Sequence, residues 1–259
     1  MVLNDAFPIG LMSRVEDASL NASAPPGQRL LDGWLIRLSP GKAKRARSVN
    51  AIAEGRLPLE ERLALTRAAF DAAGLPLIIR ITPFSPPGLD AALEAYGFRR
   101  FDDTRVMVHP ALSDVQVPVL PGGCSLEPLP VEQFAELVGE LRGSPQAQRA
   151  AQAERMAQLP VPCRGYVLRS QGEVVACGQM TTEADLVGLY DVFTRPDCRG
   201  RGFARALCER LIGLARSAGA RVGYLQVDGD NTPARAVYQR LGFSDAYAYH
   251  YRTDHPSAQ

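Results

Sequence analysis

A chain of 259 residues is long enough for one large domain or two small ones. Its apolar share of 46% can fill a sizeable core, and a net charge of +1 gives no bulk electrostatic pull toward nucleic acid or an anionic membrane. Five scattered cysteines (Cys124, Cys163, Cys177, Cys198, Cys208) form no CxxC pair, and His109, His250 and His255 sit at no metal-binding spacing; this speaks for a reducing compartment and against a metal site. The N-terminus carries acids early and lacks a basic start followed by a long apolar run, and no run has the length of a bilayer span. The expectation is a cytoplasmic protein with neither nucleic acid nor membrane as partner.

In chain order, Phe7 to Leu20 reads as an amphipathic helix with Ile9, Met12, Val15 and Leu20 near one face. Ala24-Pro25-Pro26-Gly27 breaks it. Leu30 to Leu38 reads as one strand, closed by a turn at Ser39-Pro40-Gly41. The basic run of Lys42, Lys44, Arg45 and Arg47 has two readings, a solvated hairpin edge or a patch for an anionic ligand. Its shortness and lack of interleaved aromatics favour the edge. Pro58 to Ala73 is a helix, with Pro58 in its first turn and Gly74 as its stop. Leu77 to Ile81 is a buried strand, Leu89 to Tyr96 a helix ending at Gly97, and Phe98 to His109 one or two strands.

Pro110 to Gly123 is rich in Pro and Gly, has no periodicity, and is the best domain boundary. Beyond it, Cys124 to Leu129 reads as a strand, and Val131 to Leu141 as a helix with Phe134, Leu137, Val138 and Leu141 at helical spacing. Gln146 to Leu159 is a polar, alanine-rich helix. Strands follow at Gly165 to Ser170, Val174 to Thr181 and Leu186 to Thr194. The last leads into a tight basic turn, Arg199-Gly200-Arg201-Gly202-Phe203-Ala204, and a long helix with Ala206, Leu207, Leu211, Leu214 and Ala215 on one face. Two glycines let the backbone curl, the helix leaves its first amides unpaired, and the arginines add charge, which together make a seat for a phosphate or pyrophosphate. It is not a Walker loop, since no Gly-Lys-Ser/Thr follows, and its glycine spacing is not that of the dinucleotide fingerprint. Arg221 to Val227 is the next strand, Thr232 to Leu241 a helix, and Tyr247 to Tyr251 a last strand.

The chain also repeats. Ile78 to Phe98 lies over Gly223 to Phe243 without a gap, each reading strand, loop, short helix and Gly-Phe. The first copy lacks the basic glycine turn, and Leu93 stands where the second has Tyr238.

Arg199-x-x-Gly202-x-Ala204, preceded by Val192-Phe193-Thr194-Arg195-Pro196, resembles the acyl-CoA pyrophosphate motif of the GNAT superfamily of N-acyltransferases. The resemblance implies an α/β fold with a mixed sheet in two GNAT-like modules: a degenerate one at 1–112, a linker at 113–123 and an acyl-CoA-binding one at 124–259. It implies acetyl-CoA or another acyl-CoA as co-substrate, held by Val192, Phe193 and Thr194 along the pantetheine arm and by Arg199, Gly200, Arg201, Gly202, Phe203 and Ala204 at the pyrophosphate. Asn231 either caps its helix or touches the pantetheine arm. Tyr238 is the expected proton donor to the leaving thiolate, and Asp191 or Glu183 the base that deprotonates the amine, directly or through water. Cys198, beside Arg199 at the helix entrance, reads as a small residue tolerated in the turn rather than a nucleophile. The implied reaction is direct attack of a primary amine, on a small molecule or a protein, with specificity bordering the Gln146 to Leu159 region. The chain is expected to be a monomer or homodimer, two modules in one chain favouring the monomer. A CoA-binding sensor or interaction module without turnover is the alternative, and the first half reads as scaffold or substrate wall.

Overall fold

One eleven-stranded mixed sheet runs through the computed structural model, which describes residues 3–255. The first half contributes α1 (Ile9–Asn21), β1 (Gln28–Leu31), β2 (Trp34–Arg37), β3 (Val49–Ala51), α2 (Leu59–Ala72), β4 (Ile79–Ile81), α3 (Leu89–Ala95) and β5 (Arg99–His109). The second contributes β6 (Cys124–Leu129), α4 (Val131–Leu141), α5 (Gln146–Ala157), β7 (Cys163–Ser170), β8 (Glu173–Glu183), β9 (Leu186–Thr194), α6 (Phe203–Ser217), β10 (Val222–Asp228), α7 (Thr232–Arg240) and β11 (Ser244–Thr253). No helix among the described residues is long and apolar enough to cross a membrane.

The strand order is β1-β2-β3-β4-β11-β5-β10-β9-β8-β7-β6. Each half thus lends its last strand to the other. β11 inserts between β4 and β5, and β5 inserts between β11 and β10. The β5–β11 ladder is antiparallel and close to two-fold symmetric: Ser244 faces Val108 at one end and Thr253 faces Arg99 at the other, with a register shift near each end. This is the repeat in three dimensions, since β4-α3-β5 and β10-α7-β11 are its two copies. The two parallel pairs, β3–β4 and β9–β10, stand in corresponding places, and α2 and α6 supply the crossovers that parallel pairing requires.

Helix α6 buries Leu207, Leu211, Ile212 and Ala215 in a core shared with Leu189, Leu225 and Met107. On the opposite face of the sheet, α1 buries Met12, Val15 and Ala18 against Val106, Val108, Val222 and Tyr247. Ile9 departs from the expected stripe and is 58% exposed.

Two expectations for the first half are corrected. Leu30 to Leu38 is a hairpin, not one strand, because Asp32 (φ 43°) and Gly33 (φ 83°) form the two left-handed positions of a tight turn. A side chain at Gly33 would come within 2.5 Å of the Ala53 carbonyl oxygen, so only glycine fits. The basic run is not a solvated edge either. Lys44–Ala46 forms a turn of 3-10 helix that packs inward, where Lys44 pairs with Asp102 at 2.7 Å and Arg45 donates to Gln226 and, at 2.9 Å, to Tyr249 Oη.

Between the two halves of the core, Arg80 of β4 and Glu16 of α1 form a buried ion pair. Tyr247 Oη donates to Glu16 at 2.8 Å, and the Arg80 guanidinium stacks on the Tyr249 ring at 3.8 Å. Burial alone would raise the Glu16 carboxyl, but the charge and hydrogen bonds of Arg80 and the bond from Tyr247 hold it below its ordinary value. The carboxylate therefore contributes stability above the unfolded-state pKa, and that stability disappears as pH falls through the depressed folded value. Glu16→Gln would leave Arg80 charged, buried and unpaired. Urea denaturation at pH 7 should show a loss of about 3–5 kcal/mol, with the wild-type advantage shrinking in acid. Equal stability of the two proteins at pH 7 would remove this pair from the account of the fold.

Candidate active site

The cleft arises where two parallel strands part. β9 and β10 pair only from Leu186–Val222 to Leu189–Leu225, although β9 runs on to Thr194 and β10 to Asp228. A β-bulge opens the gap: Asp191 and Val192 of β9 stand against the single Gly178 of β8, and Asp191 takes φ 50°. Past the bulge, β8 holds Phe193 and Thr194 on one side only. Their other edge, facing the gap, has no strand partner, and Thr194 Oγ1 is buried without a hydrogen bond.

One end of the cleft meets the start of α6. Gly200 (φ 75°) and Gly202 (φ 82°) take backbone conformations that side chains disfavour, and a Cβ at either would meet nothing within 4 Å. The glycines are thus there for backbone shape rather than for lack of room. The Gly202 carbonyl accepts from Ala206, so the amides of Phe203, Ala204 and Arg205 lie before the first intrahelical bond. No side chain caps them, and no acid sits in the first turn. Arg199 and Arg201 are exposed beside them. The open amides, the helix dipole and the two guanidinium groups fit a diphosphate.

The other end is Tyr238 on α7. Its ring is buried edge-on against Phe243. Its hydroxyl has no hydrogen-bond partner among the described residues and borders a cavity of about 350 Å³. Burial pushes this phenol well above its ordinary value, so it keeps its proton at neutral pH.

Both halves of the chain wall that cavity. The second supplies Tyr190, Asp191 and Val192 of β9, Gln226 of β10 and Asn231 just before α7; the first supplies Ser23, Lys42 and Arg45. Helix α5 closes the top with Gln148, Gln152 and Arg155, which share one helical face. Asp191 accepts from Arg142 at 2.5 Å and from Gln152 at 2.9 Å, so both of its oxygens are engaged. Asn231 caps α7, accepting from the Ala234 amide at 3.2 Å, while also lining the cavity.

Glu183 is not brought to this site. It lies on the same face of β8 as the cavity-lining Gln179 but four residues further along, about 13 Å at strand rise. There it accepts from Asn21 at 3.0 Å. Cys198 is buried in the core beneath α6, as expected of a tolerated small residue. The sequence reading missed Arg155, Arg142 and Arg45 as cavity residues. For Arg155 the signal was the region, since α5 was expected to border the acceptor; for Arg45 it was the basic run, whose reading as a patch for an anionic ligand was not the favoured one.

Residues 131–243 match the Acetyltransferase (GNAT) family. Residues 131–243 are a GNAT acetyltransferase domain. Similarity extends beyond it. An uncharacterized N-acetyltransferase of Bacillus subtilis, YobR, is 27% identical over 237 residues, covering 87% of this chain and 91% of that one. Among solved structures, a GCN5-related N-acetyltransferase from Kribbella flavida superposes with a TM-score of 0.72 at 20% identity, covering 97% of this chain and 98% of the other. A tandem GNAT protein from the clavulanic acid biosynthesis pathway does so with a TM-score of 0.64 at 17% identity, covering 99% and 98%. The fold is therefore that of a two-module GNAT protein, and the exchanged strands β5 and β11 join its modules.

Within the GNAT domain, the Asp191 carboxylate ties the turn after α4 to the bulge. Asp191→Asn keeps a residue that tolerates φ 50° and an oxygen for Gln152, but removes the charge facing Arg142. A loss of about 1–2 kcal/mol is expected, with faster hydrogen exchange at Gly143 and Ser144. Wild-type exchange rates there would show that the turn is held by something else.

Proposed function

We propose that this GNAT protein transfers an acetyl group from acetyl-CoA to a primary amine by direct attack within a ternary complex. The carrying observation is the unpaired edge of β9 past Leu189, with the open amides of α6 beyond its end and Tyr238 lining the cavity beside it. The amides of residues 203–205, with Gly200, Gly202, Arg199 and Arg201, would hold the pyrophosphate. The free edge of Val192, Phe193 and Thr194 would pair with the pantetheine arm as an added strand. Acetyl-CoA supplies the activated thioester. A β9 amide would hold the carbonyl oxygen. The amine nitrogen bonds to the acyl carbon, the carbon–sulfur bond breaks, and Tyr238 gives its proton to the departing thiolate.

The amine must first lose a proton. Asp191 is engaged at both oxygens, so it would attract the ammonium and pass its proton to water rather than take it alone. A covalent acyl-cysteine route has little support: burial pushes the thiols of Cys163 to about 11 and of Cys177 and Cys208 to about 12, and the thiolate is the nucleophile. We further read 1–112 as a first module without a cofactor seat and 124–259 as the acetyl-CoA module, joined by 113–123. A CoA sensor without turnover would need neither the Tyr238 hydroxyl nor a polar cavity beside it.

Calorimetry should show acetyl-CoA binding to the wild type. Binding should fall by about a hundredfold or more in Gly202→Glu, with circular dichroism unchanged, since the substitution strains the turn and places a carboxylate against the anion seat. In Tyr238→Phe, acetyl-CoA binding should persist while kcat for amine acetylation drops by about 10²–10⁴. A wild type that does not bind acetyl-CoA would end the enzyme reading.

A further inference from the structure

The acceptor end of the cavity holds a charge that no group among the described residues bonds directly; Asp191, which attracts it through space, is already bound to Arg142 and Gln152. Arg155 of α5 is 7% exposed and lines the cavity, yet its guanidinium makes no hydrogen bond or ion pair with any described residue. The other cations there are accounted for. Arg142 is bound to Asp191, Arg45 to Gln226 and Tyr249, and Lys42 lies exposed at the rim. Gln179, 2% exposed, accepts from the Cys163 thiol at its Oε1 and has no partner among the described residues for its amide nitrogen on the same wall. The diphosphate does not need Arg155, because Arg199 and Arg201 beside the α6 amides do not line this cavity.

A buried guanidinium without a partner costs the fold several kcal/mol in desolvation. It is tolerable where a ligand brings the missing charge. We propose that the acceptor is an amine that also carries a carboxylate, bound by Arg155 with the Gln179 amide, so that its amino group is presented toward Tyr238. This rests on the acetyltransferase reading and narrows it. One uncommitted buried cation matches one negative charge, which favours a carboxylate over a dianionic phosphate. Acceptors that are purely cationic, such as polyamines, would meet Arg155, Arg45, Arg142 and Lys42 against only Asp191 and Asp228.

The test uses the full chain, saturating acetyl-CoA and matched acceptors: amino acids, including β-alanine, against their carboxamides. In the wild type the acids should exceed the amides in kcat/KM by about tenfold to a hundredfold, the range of a charged hydrogen bond. In Arg155→Met that preference should collapse to near one, mainly through KM, and Arg155→Lys should restore part of it. Because the guanidinium is a burden to the fold, Arg155→Met should melt at the wild-type temperature or above. A residue with a purely structural role would instead lower the melting temperature and leave the preference intact. Amides used as well as acids by the wild type, or a preference that survives Arg155→Met, overturns the proposal. Calorimetry with acetyl-CoA tells whether the acetyltransferase reading itself has failed. If it has, titration of N-acetylglycine against its amide still decides whether Arg155 binds a carboxylate: heat seen only with the acid, and lost in Arg155→Met, upholds the site, and no heat overturns it.

Discussion

The antiparallel ladder between β5 and β11 is the constraint on which the rest of the molecule depends. Side-chain docking between two modules would leave their relative placement adjustable. A backbone ladder in fixed register does not, because a slip of one residue turns every side chain to the other face of the sheet. Here both faces are already committed. Val106 and Val108 of β5 pack beneath α1, whereas Met107 between them packs beneath α6. The register therefore locks two cores at once. With it comes the position of the first half against the cleft, including the inward turn that carries Arg45 to Gln226. The site is a product of the exchange as much as of the GNAT domain.

Within this shared scaffold the two halves differ in what fills the seat at the crossover helix. After β9, the amides that open α6 have no side-chain acceptor. After β3, the loop ahead of α2 is held from within: the Asp32 carboxylate accepts from the amides of Arg56 and Leu57 at 2.8 and 2.9 Å, with Arg62 at 3.6 Å. Those amides, first among the causes, hold the Asp32 carboxyl below its ordinary value. Glu60 and Glu61 in the first turn of α2 then complement the helix dipole and disfavour a further anion. A hairpin carboxylate thus fixes the loop ahead of α2, two acids stand in that helix's first turn, and what the first half gives the cleft is a wall.

The parts of this architecture that are local patterns were legible in the sequence. The repeat placed β4-α3-β5 over β10-α7-β11, and the glycine turn located the uncapped start of α6, because periodicity and turn chemistry are written in neighbouring residues. The hairpin at Asp32-Gly33 was as local and was overlooked, the apolar run on either side masking an Asp-Gly turn signal. Other parts were not legible because they are set by contacts distant in sequence. Nothing near Arg45 announces that its partners are Gln226 and Tyr249. Glu183 shares a strand with the cavity-lining Gln179, but its distance along that strand from the cavity follows from where the bulge at Asp191 opens the sheet. Arg155 sits in a polar, alanine-rich helix that could as well have been solvated, and only the fold shows that its face is turned inward.

The repeat also supplies an internal comparison for Tyr238. Leu93 of α3 occupies the matching place in the first half and is fully buried, so the packing demand at this position is met by an apolar side chain of similar reach. The Tyr238 ring meets the same demand against Phe243. Its hydroxyl does not add to that packing and finds no partner among the described residues, although a buried tyrosine ordinarily secures one. Arg155 departs from the rules of burial in the same cavity. Two polar groups that the fold would do better without, both lining the cavity where β9 and β10 part, are better explained by what enters the cleft than by what holds it together.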